Sequence, residues 1–189
     1  MNLISASKIW TTYSDESMRY VRVKNNVANI SNRQVLLRSV LPFPAEDGLY
    51  NIGMRGELIR ANPDMGVITK YPDIDLLAHF FKDLKVRCSL DQNTRMSMLE
   101  CIRLMSSREH AISISSNQMS PRWAYSEGEG NYLYPFNIEP AVSVNSKYLD
   151  VVFTAFADYP VLHVGKVEGE KNPLIIGVDW GNCALISPF

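Results

Sequence analysis

The sequence lacks the features that mark membrane, secreted and disulfide-stabilised proteins. No apolar run approaches the ~20 residues that cross a bilayer, and the N-terminal residues carry no signal-peptide pattern. We therefore expect a cytoplasmic protein with no membrane partner. The three cysteines, Cys88, Cys101 and Cys183, lie far apart without a CxxC pair, so they predict reduced thiols rather than disulfides or a zinc site.

Catalytic motifs and metal-binding clusters are also missing. The three histidines are scattered, and no phosphate loop, dinucleotide fingerprint, nucleophile elbow or zinc-protease motif occurs. Residues 127–130 are Gly-rich but carry two glutamates and no basic residue, which favours a hairpin turn over a phosphate site. A net charge of -1 excludes a generally basic nucleic-acid-binding coat. The sequence thus predicts no metal, no cofactor and no enzymatic activity.

The apolar residues that are present predict a globular fold in two parts. With 189 residues, 46% hydrophobic and 21% charged, the chain has room for one large domain or two small ones. After a short helix predicted at Ser5–Tyr13, alternating strands with little helix continue to about residue 54. Two Pro-Asp pairs then flank one strand, and they place a domain junction near Tyr71-Pro72-Asp73. This gives a mostly β part over residues 1–76 and a second part over residues 77–189.

The second part repeats one pattern of elements. A strand precedes an amphipathic helix over residues 93–107, and further strands follow it. A later strand precedes a second helix over residues 146–158, with Asn145 or Ser146 as its N-cap, and three strands complete the chain. Two β-α-β-β units of similar length predict a duplicated α+β domain with its helices on one face of antiparallel sheets.

Four short segments resemble, in the same order, parts of the bacterial sliding clamp, the β subunit of DNA polymerase III. The first is VANISNRQVLLRSV, which resembles a clamp strand pair with a Thr-Asp-Gly-His-Arg-Leu run; Ser31, Asn32 and Leu36 match it, and residues 33–35 depart from it. The second is YPDIDLL, which resembles the linker between clamp domains. The third, NTRMSMLECIRLMSSREHAISISSNQMS, resembles the helix and following strand that open the last clamp domain. The C-terminal segment resembles its end through Asn145, Tyr148, Leu149 and the terminal run Ile186-Ser187-Pro188-Phe189.

The resemblance implies a DNA clamp-like fold and a function in DNA replication. A clamp encircles duplex DNA as an oligomeric ring, so its direct contact with DNA is weak and topological. It acts as a processivity factor because DNA polymerase or other replication proteins bind it through short peptides. The clamp family has three domains, whereas this chain has room for about one and a half. We therefore expect a reduced clamp and favour a viral source. If each chain holds two domain-equivalents, three copies make the six-domain ring of the family, so we favour a homo-oligomeric ring of three copies.

The resemblance also implies which residues contact partners. The partner-peptide pocket would be lined by Ser31, Leu36, Leu77, Asn145, Tyr148, Ile186, Pro188 and Phe189. A DNA-facing wall of helices would carry Arg95, Arg103, Arg108 and Lys147. Core packing is the alternative role for the pocket residues, and an ordinary solvated helix surface is the alternative for the basic ones. His79 stands where the family tends to have proline, next to the Leu77 edge of the pocket.

Two other functions are compatible with the sequence. A clamp-like regulatory protein could keep the pocket without the ring and bind a replication partner. A small α+β structural or virion protein could share the C-terminal pattern by chance. The mass of the assembly in solution discriminates between the processivity factor and the regulatory protein, because only the first requires a closed ring.

Overall fold

The computed structural model describes residues 1–11, 18–63, 74–77, 80, 84–106, 111–116, 118–121, 132–134, 138–139, 141–166 and 173–188. These residues form two antiparallel sheets and three α-helices. No helix in these ranges is long and apolar enough to cross a membrane. The hairpin predicted at residues 127–130 and the junction predicted at residues 71–73 lie outside them.

In its described residues, the N-terminal part contains a short helical segment and five strands. Helix α1 spans Leu3–Ala6 and continues as a 3-10 helix over Ser7–Thr11. It begins earlier than the sequence predicted because Asn2 is its N-cap: the Asn2 side chain accepts a hydrogen bond from the Ser5 N–H at 3.0 Å. The strands are β1 Val21–Lys24, β2 Val27–Ser31, β3 Val35–Val40, β4 Gly48–Ile52 and β5 Leu58–Arg60.

The C-terminal part follows a 3-10 helix at Ile74–Leu77 and contains the same unit twice. The first unit comprises β6 Lys85–Asp91, α2 Gln92–Ser106, β7 Ala111–Ser115, β8 Gln118–Pro121 and β9 Tyr132–Leu133. The second unit comprises β10 Val142–Asn145, α3 Ser146–Ala155, β11 Val161–Lys166, β12 Leu174–Asp179 and β13 Asn182–Ile186. Each unit is a strand, a helix and three strands, which confirms the predicted duplication.

The two units exchange their first strands. Strand β6 of the first unit pairs antiparallel with β11 of the second, and β10 of the second pairs antiparallel with β7 of the first. In both units the last residue of the first strand caps the helix that follows at once. The Asp91 carboxylate accepts a hydrogen bond from the Thr94 N–H at 2.7 Å, and the Asn145 side chain accepts one from the Lys147 N–H at 2.9 Å. Asn145 is therefore the N-cap, as the sequence predicted.

The larger sheet connects the two predicted parts. Its nine strands run in the order β5-β4-β1-β2-β3-β13-β12-β11-β6, while the smaller sheet has the order β10-β7-β8-β9. Strands β3 and β13 join the parts through a register in which Leu36 faces Leu185. The domain boundary between residues 76 and 77 remains a prediction. Two domains can share a continuous sheet and still be joined by a separate connecting segment, so the sheet does not decide where the boundary lies.

The larger sheet has an inner face and an outer face. The inner face packs against the three helices and the smaller sheet around one extensive core, to which Leu37, Phe153 and Ile112 contribute from the three layers. The outer face carries a second, smaller group of buried residues, which we call the outer-face cluster: Leu36, Leu49, Ile74, Ile175, Cys183 and Leu185. Because successive residues of a strand point to opposite faces, the strands β3, β4, β12 and β13 contribute to both groups.

Candidate functional site

Strand register arranges the outer face in two neighbouring rows of side chains. The apolar row crosses the strands from β2 to β11 through Ser31, Leu36, Leu185, Ile175 and Gly165. The cationic row crosses them from β4 to β13 through Leu49, Arg22, Asn29, Arg38 and Cys183. On each strand that they share, the two rows are two residues apart. Residues two positions apart point to the same face of a sheet, so the rows lie roughly 7 Å apart on that face. The outer face thus places an apolar row beside a row that contains two arginines.

Partly exposed side chains surround the outer-face cluster and form its surface. This rim consists of Tyr20, Leu77, Phe80, Leu84 and Trp180. Ile74, from the 3-10 helix that precedes β6, is 4% exposed and packs against the sheet within the cluster. At Gly165 an added Cβ would lie 2.4 Å from Leu84 Cδ1, so the missing side chain lets Leu84 reach the sheet. Aromatic and leucine side chains of this kind offer apolar contact area to a ligand.

The structure divides the predicted pocket residues between the two faces. Leu36 and Leu77 share the outer-face cluster and its rim, and Ser31 is the cross-strand neighbour of Leu36. Tyr148 and Ile186 instead lie in the core on the inner face, where both are 2% exposed or less. The other members are spread further. Asn145 caps α3, half-buried Pro188 follows β13, and Phe189 lies outside the described residues.

The outer face also contains residues that we did not predict from the sequence. Leu185, Ile175 and Leu49 belong to the cluster, and Tyr20 and Trp180 belong to its rim. The signal that could have found Leu185 is the alternation of β13: Ala184 and Ile186 face the core, so Leu185 faces outward. No comparable local signal identifies Tyr20 or Trp180, because both lie beyond the ends of strands.

Tyr148 joins helix α3 to the turn between β2 and β3. Its hydroxyl donates to Gln34 Oε1 and accepts from Asn32 Nδ2 at 3.2 Å. The Asn32 side chain also donates to the Ile9 carbonyl at 3.0 Å and accepts from the Val35 N–H at 2.9 Å. Burial raises the pKa of Tyr148, although the Asn32 hydrogen bond acts in the opposite direction. These contacts hold α3, the N-terminal helical segment and the turn together, which is a structural role.

Arg95 does not face solvent, contrary to its predicted place in a DNA-facing wall. It is 2% exposed, and its guanidinium donates to the Phe156 carbonyl at 2.9 Å and to the Tyr159 carbonyl. Both carbonyls lie at the C-terminal end of α3, where a cation compensates the helix dipole. The physical reason for the correction is that the start of α2 packs against the end of α3, which buries Arg95 between them.

Arg103 and Lys147 lie on a described surface that is not basic. Arg103 is exposed and forms an ion pair with Asp150 at 3.0 Å. Lys147 is exposed in the first turn of α3, and Arg108 lies outside the described residues. The charged residues on the exposed sides of α2, α3 and the turn that follows are Glu100, Arg103, Lys147, Asp150 and Asp158. Two cations against three anions give the described helix surface a charge of -1, so its direct attraction for DNA is weak.

Among the residues that the structure describes, the outer face offers neither a metal centre nor a reactive thiol. No group of three or more metal-ligating side chains occurs there. All three cysteines are free thiols. Burial raises the pKa of Cys183 to about 12 and that of Cys88 to about 11, so both remain protonated at neutral pH. Cys183, the cysteine of the outer-face cluster, is therefore not a thiolate nucleophile at neutral pH.

Comparisons with known proteins identify the fold by structure rather than by sequence. No family model matches the sequence, and no curated protein matches it significantly. The solved DNA polymerase III β subunit of Thermotoga maritima matches with a TM-score of 0.66 at 14% identity, over 98% of this chain and 62% of that one. The β subunit of Pseudomonas aeruginosa matches with a TM-score of 0.66 at 10% identity, over 100% of this chain and 63% of that one.

A third similar structure contains a bound peptide. The β clamp of Helicobacter pylori bound to a DNA ligase peptide matches with a TM-score of 0.58 at 14% identity, over 99% of this chain and 63% of that one. The chain thus spans 62–63% of the length of these clamps. At identities this low, the structural matches show the fold alone. That fold is the one that the resemblance implied, so the prediction of a clamp-like fold is confirmed. Over its whole described length, the chain has the fold of the bacterial β sliding clamps.

Proposed function

We propose that the protein is a sliding-clamp-like processivity factor, which encircles duplex DNA as an oligomeric ring and holds replication proteins through short peptides. The observation that carries the proposal is the clamp fold over 98–100% of the chain. A clamp holds DNA because a closed ring cannot leave a circular duplex, so it needs no strongly basic wall. The charge of -1 on the described helix surface is compatible with that mechanism.

The length of the chain favours three copies in the ring. One copy spans 62% of a three-domain clamp, so three copies supply nearly the length of two such clamps, or six domains. In a head-to-tail ring each copy uses two different surfaces, and the rotation must close after a fixed number of copies. A trimer would have three times the chain mass of 21.4 kDa.

Sedimentation at micromolar concentration tests the ring. We expect a trimer, and retention of the assembled protein on circular DNA that is lost when the DNA is cut. A monomer would reject the ring and favour the clamp-like regulatory protein, which keeps the pocket alone. Tight binding of the unassembled protein to linear duplex at about 150 mM salt would reject the topological mechanism.

The outer-face cluster is the surface that we propose for partner peptides. It combines buried support from Leu36 and Leu185 with a partly exposed rim, and Leu77 of that rim was predicted from the resemblance. Apolar anchors of a peptide would pack against the rim, as in other recognition of short segments by preformed grooves. The structure of the Helicobacter pylori clamp with a DNA ligase peptide supports this mode of binding by analogy.

Substitution of a rim residue tests the surface without disturbing the fold. Leu77→Asp places a charge on the partly exposed rim and should reduce the affinity for a Leu- and Phe-containing peptide at least tenfold. The matched control is Leu104→Asp on α2, where Leu104 is 65% exposed and distant from the outer face. Isothermal titration should show normal binding for the control. Equal affinities of the two variants would place the peptide elsewhere.

A further inference from the structure

We propose that Trp180 is a specificity-determining residue of the outer face, and that its indole ring selects an aromatic rather than an aliphatic anchor in the partner peptide. The inference rests on the proposed peptide-binding function of that face, and it specifies one residue and the ligand chemistry that this residue recognises. It follows from three features: the support beneath the ring, the fixed turn that carries it, and its place on the rim.

The side chain of Arg38 supports the Trp180 ring. Arg38 lies on β3 and is 7% exposed, and its guanidinium carbon lies 4.1 Å from the centre of the indole ring. A guanidinium at this distance is attracted to the face of an aromatic ring. Cys183, the cross-strand neighbour of Arg38, donates a hydrogen bond from its thiol to the Trp180 carbonyl at 3.5 Å. The two contacts hold both the ring and the backbone of Trp180 against the sheet.

Hydrogen bonds fix the turn between β12 and β13, which carries Trp180. The Asp179 carboxylate accepts from the Asn182 N–H at 2.9 Å and from Asn182 Nδ2 at 3.2 Å. Asn182 Oδ1 in turn accepts from the Val40 N–H at 3.1 Å and from the Tyr159 hydroxyl at 2.9 Å. These bonds connect the turn to β3 and to the segment after α3. Because the turn is already ordered, a partner that contacts Trp180 loses little free energy in ordering it.

The place of Trp180 on the rim makes it available to a ligand. The residue packs against the outer-face cluster and is partly exposed. Tryptophan is enriched among the residues that dominate binding energy at interfaces. Two aromatic rings attract each other more strongly than their buried area alone predicts, so an aromatic anchor gains a contribution that a leucine cannot. A nucleic-acid base also stacks on aromatic rings, but its backbone would leave the apolar row of Leu36, Leu185 and Ile175 unused, which favours a peptide.

Three labelled peptides that differ in one anchor test the inference by fluorescence anisotropy. The anchor is Phe, cyclohexylalanine or Leu, and cyclohexylalanine has nearly the size of Phe without its aromatic ring. We expect the unmodified protein to bind the Phe peptide about fivefold more tightly than the cyclohexylalanine peptide, as one aromatic pair would provide. In Trp180→Leu the two affinities should become equal while both peptides still bind. The matched control is Phe43→Leu, which replaces a 47% exposed aromatic residue outside the outer-face cluster and should keep the preference.

The outcomes separate this inference from the proposed function. Equal binding of the Phe and cyclohexylalanine peptides to the unmodified protein would overturn the aromatic preference and leave the apolar surface intact. A preference that persists in Trp180→Leu would overturn the assignment to Trp180. Binding of no peptide would overturn both proposals. A single-stranded oligonucleotide that displaces the Phe peptide at stoichiometric concentration would overturn the peptide as the occupant and make Trp180 a nucleic-acid contact.

A purely structural role of Trp180 predicts a different result. If the ring only covers the cluster, Trp180→Leu should weaken all three peptides by the same factor, which would overturn the inference. If Trp180→Leu fails to fold by circular dichroism, the indole N–H resonance of Trp180 in the unmodified protein decides, and Trp180→Phe assigns that resonance because it removes it. The Phe peptide should shift the resonance through its ring current, whereas the cyclohexylalanine peptide has no ring current. Equal shifts with both peptides would overturn the contact.

Discussion

Removal of the Arg95 guanidinium should destabilise the fold more than removal of any exposed basic side chain on the helices. Arg95→Met keeps most of the apolar stem but removes the guanidinium hydrogen bonds to the Phe156 and Tyr159 carbonyls, and Phe156 retains only the hydrogen bond from the Tyr159 N–H at 3.2 Å. A hydrogen bond to a charged group contributes about 1.5–3 kcal/mol, so two such bonds predict a loss of about 3 kcal/mol or more. For a chain of 189 residues this corresponds to a decrease in melting temperature of about 6–12 °C.

Urea unfolding followed by circular dichroism, at one protein concentration, measures this loss. The matched control is Arg103→Met, which removes an exposed guanidinium from the same helix and breaks only the ion pair with Asp150. That pair should contribute less than about 1 kcal/mol. If the two variants lose the same free energy of unfolding, or if Arg95→Met loses less than about 0.5 kcal/mol, Arg95 does not connect α2 to the end of α3 as described.

Two further predictions concern buried polar groups. Tyr148→Phe removes the hydroxyl between Gln34 and Asn32, so it should cost about 1–2 kcal/mol of unfolding free energy in urea melts while leaving peptide affinity unchanged; reduced affinity would place Tyr148 in the pocket after all. Burial raises the pKa of Cys183 from 9.0 to about 12, so the folded state keeps a proton that the unfolded state loses, and stability should fall as the pH rises above about 9. Urea melts from pH 7.5 to 10.5 should show a shallower fall for Cys183→Ala, and an identical fall would contradict the assignment.

The elements of the fold were predictable because their signals are local. Alternating apolar residues marked the strands, helical spacing marked α2 and α3, and Asn145 marked the start of α3. The two adjacent asparagines at residues 25 and 26 have φ angles of 50° and 61°, which matches the turn that their composition indicates. The exchange of β6 and β10 between the two units was not predictable, because the sequence does not encode strand pairing at long range in any local pattern.

The charged residues of the helices show why surface predictions are less secure. Arg95 and Arg103 both belong to α2, and the residues beside each of them in the sequence do not indicate which arginine is buried. Their difference arises from tertiary packing: the carbonyls at the end of α3 lie beside Arg95, whereas Arg103 meets the Asp150 side chain on the exterior. An arginine can be fully buried only where such acceptors are supplied, and their position is a property of the folded chain.

The division of the predicted pocket follows from the two-residue period of a strand. A family resemblance aligns segments, but a displacement of one residue moves a side chain from one face of the sheet to the other. Ile186 therefore packs in the core to which Tyr148 also contributes, while its neighbour Leu185 lies beside Leu36 on the outer face. No single surface can present both Ile186 and Leu36 to a peptide while the sheet stays intact. Strand register therefore determines which side chains can form one functional surface on this fold. It brings together the side chains of the outer face, where the apolar row lies beside Arg22 and Arg38.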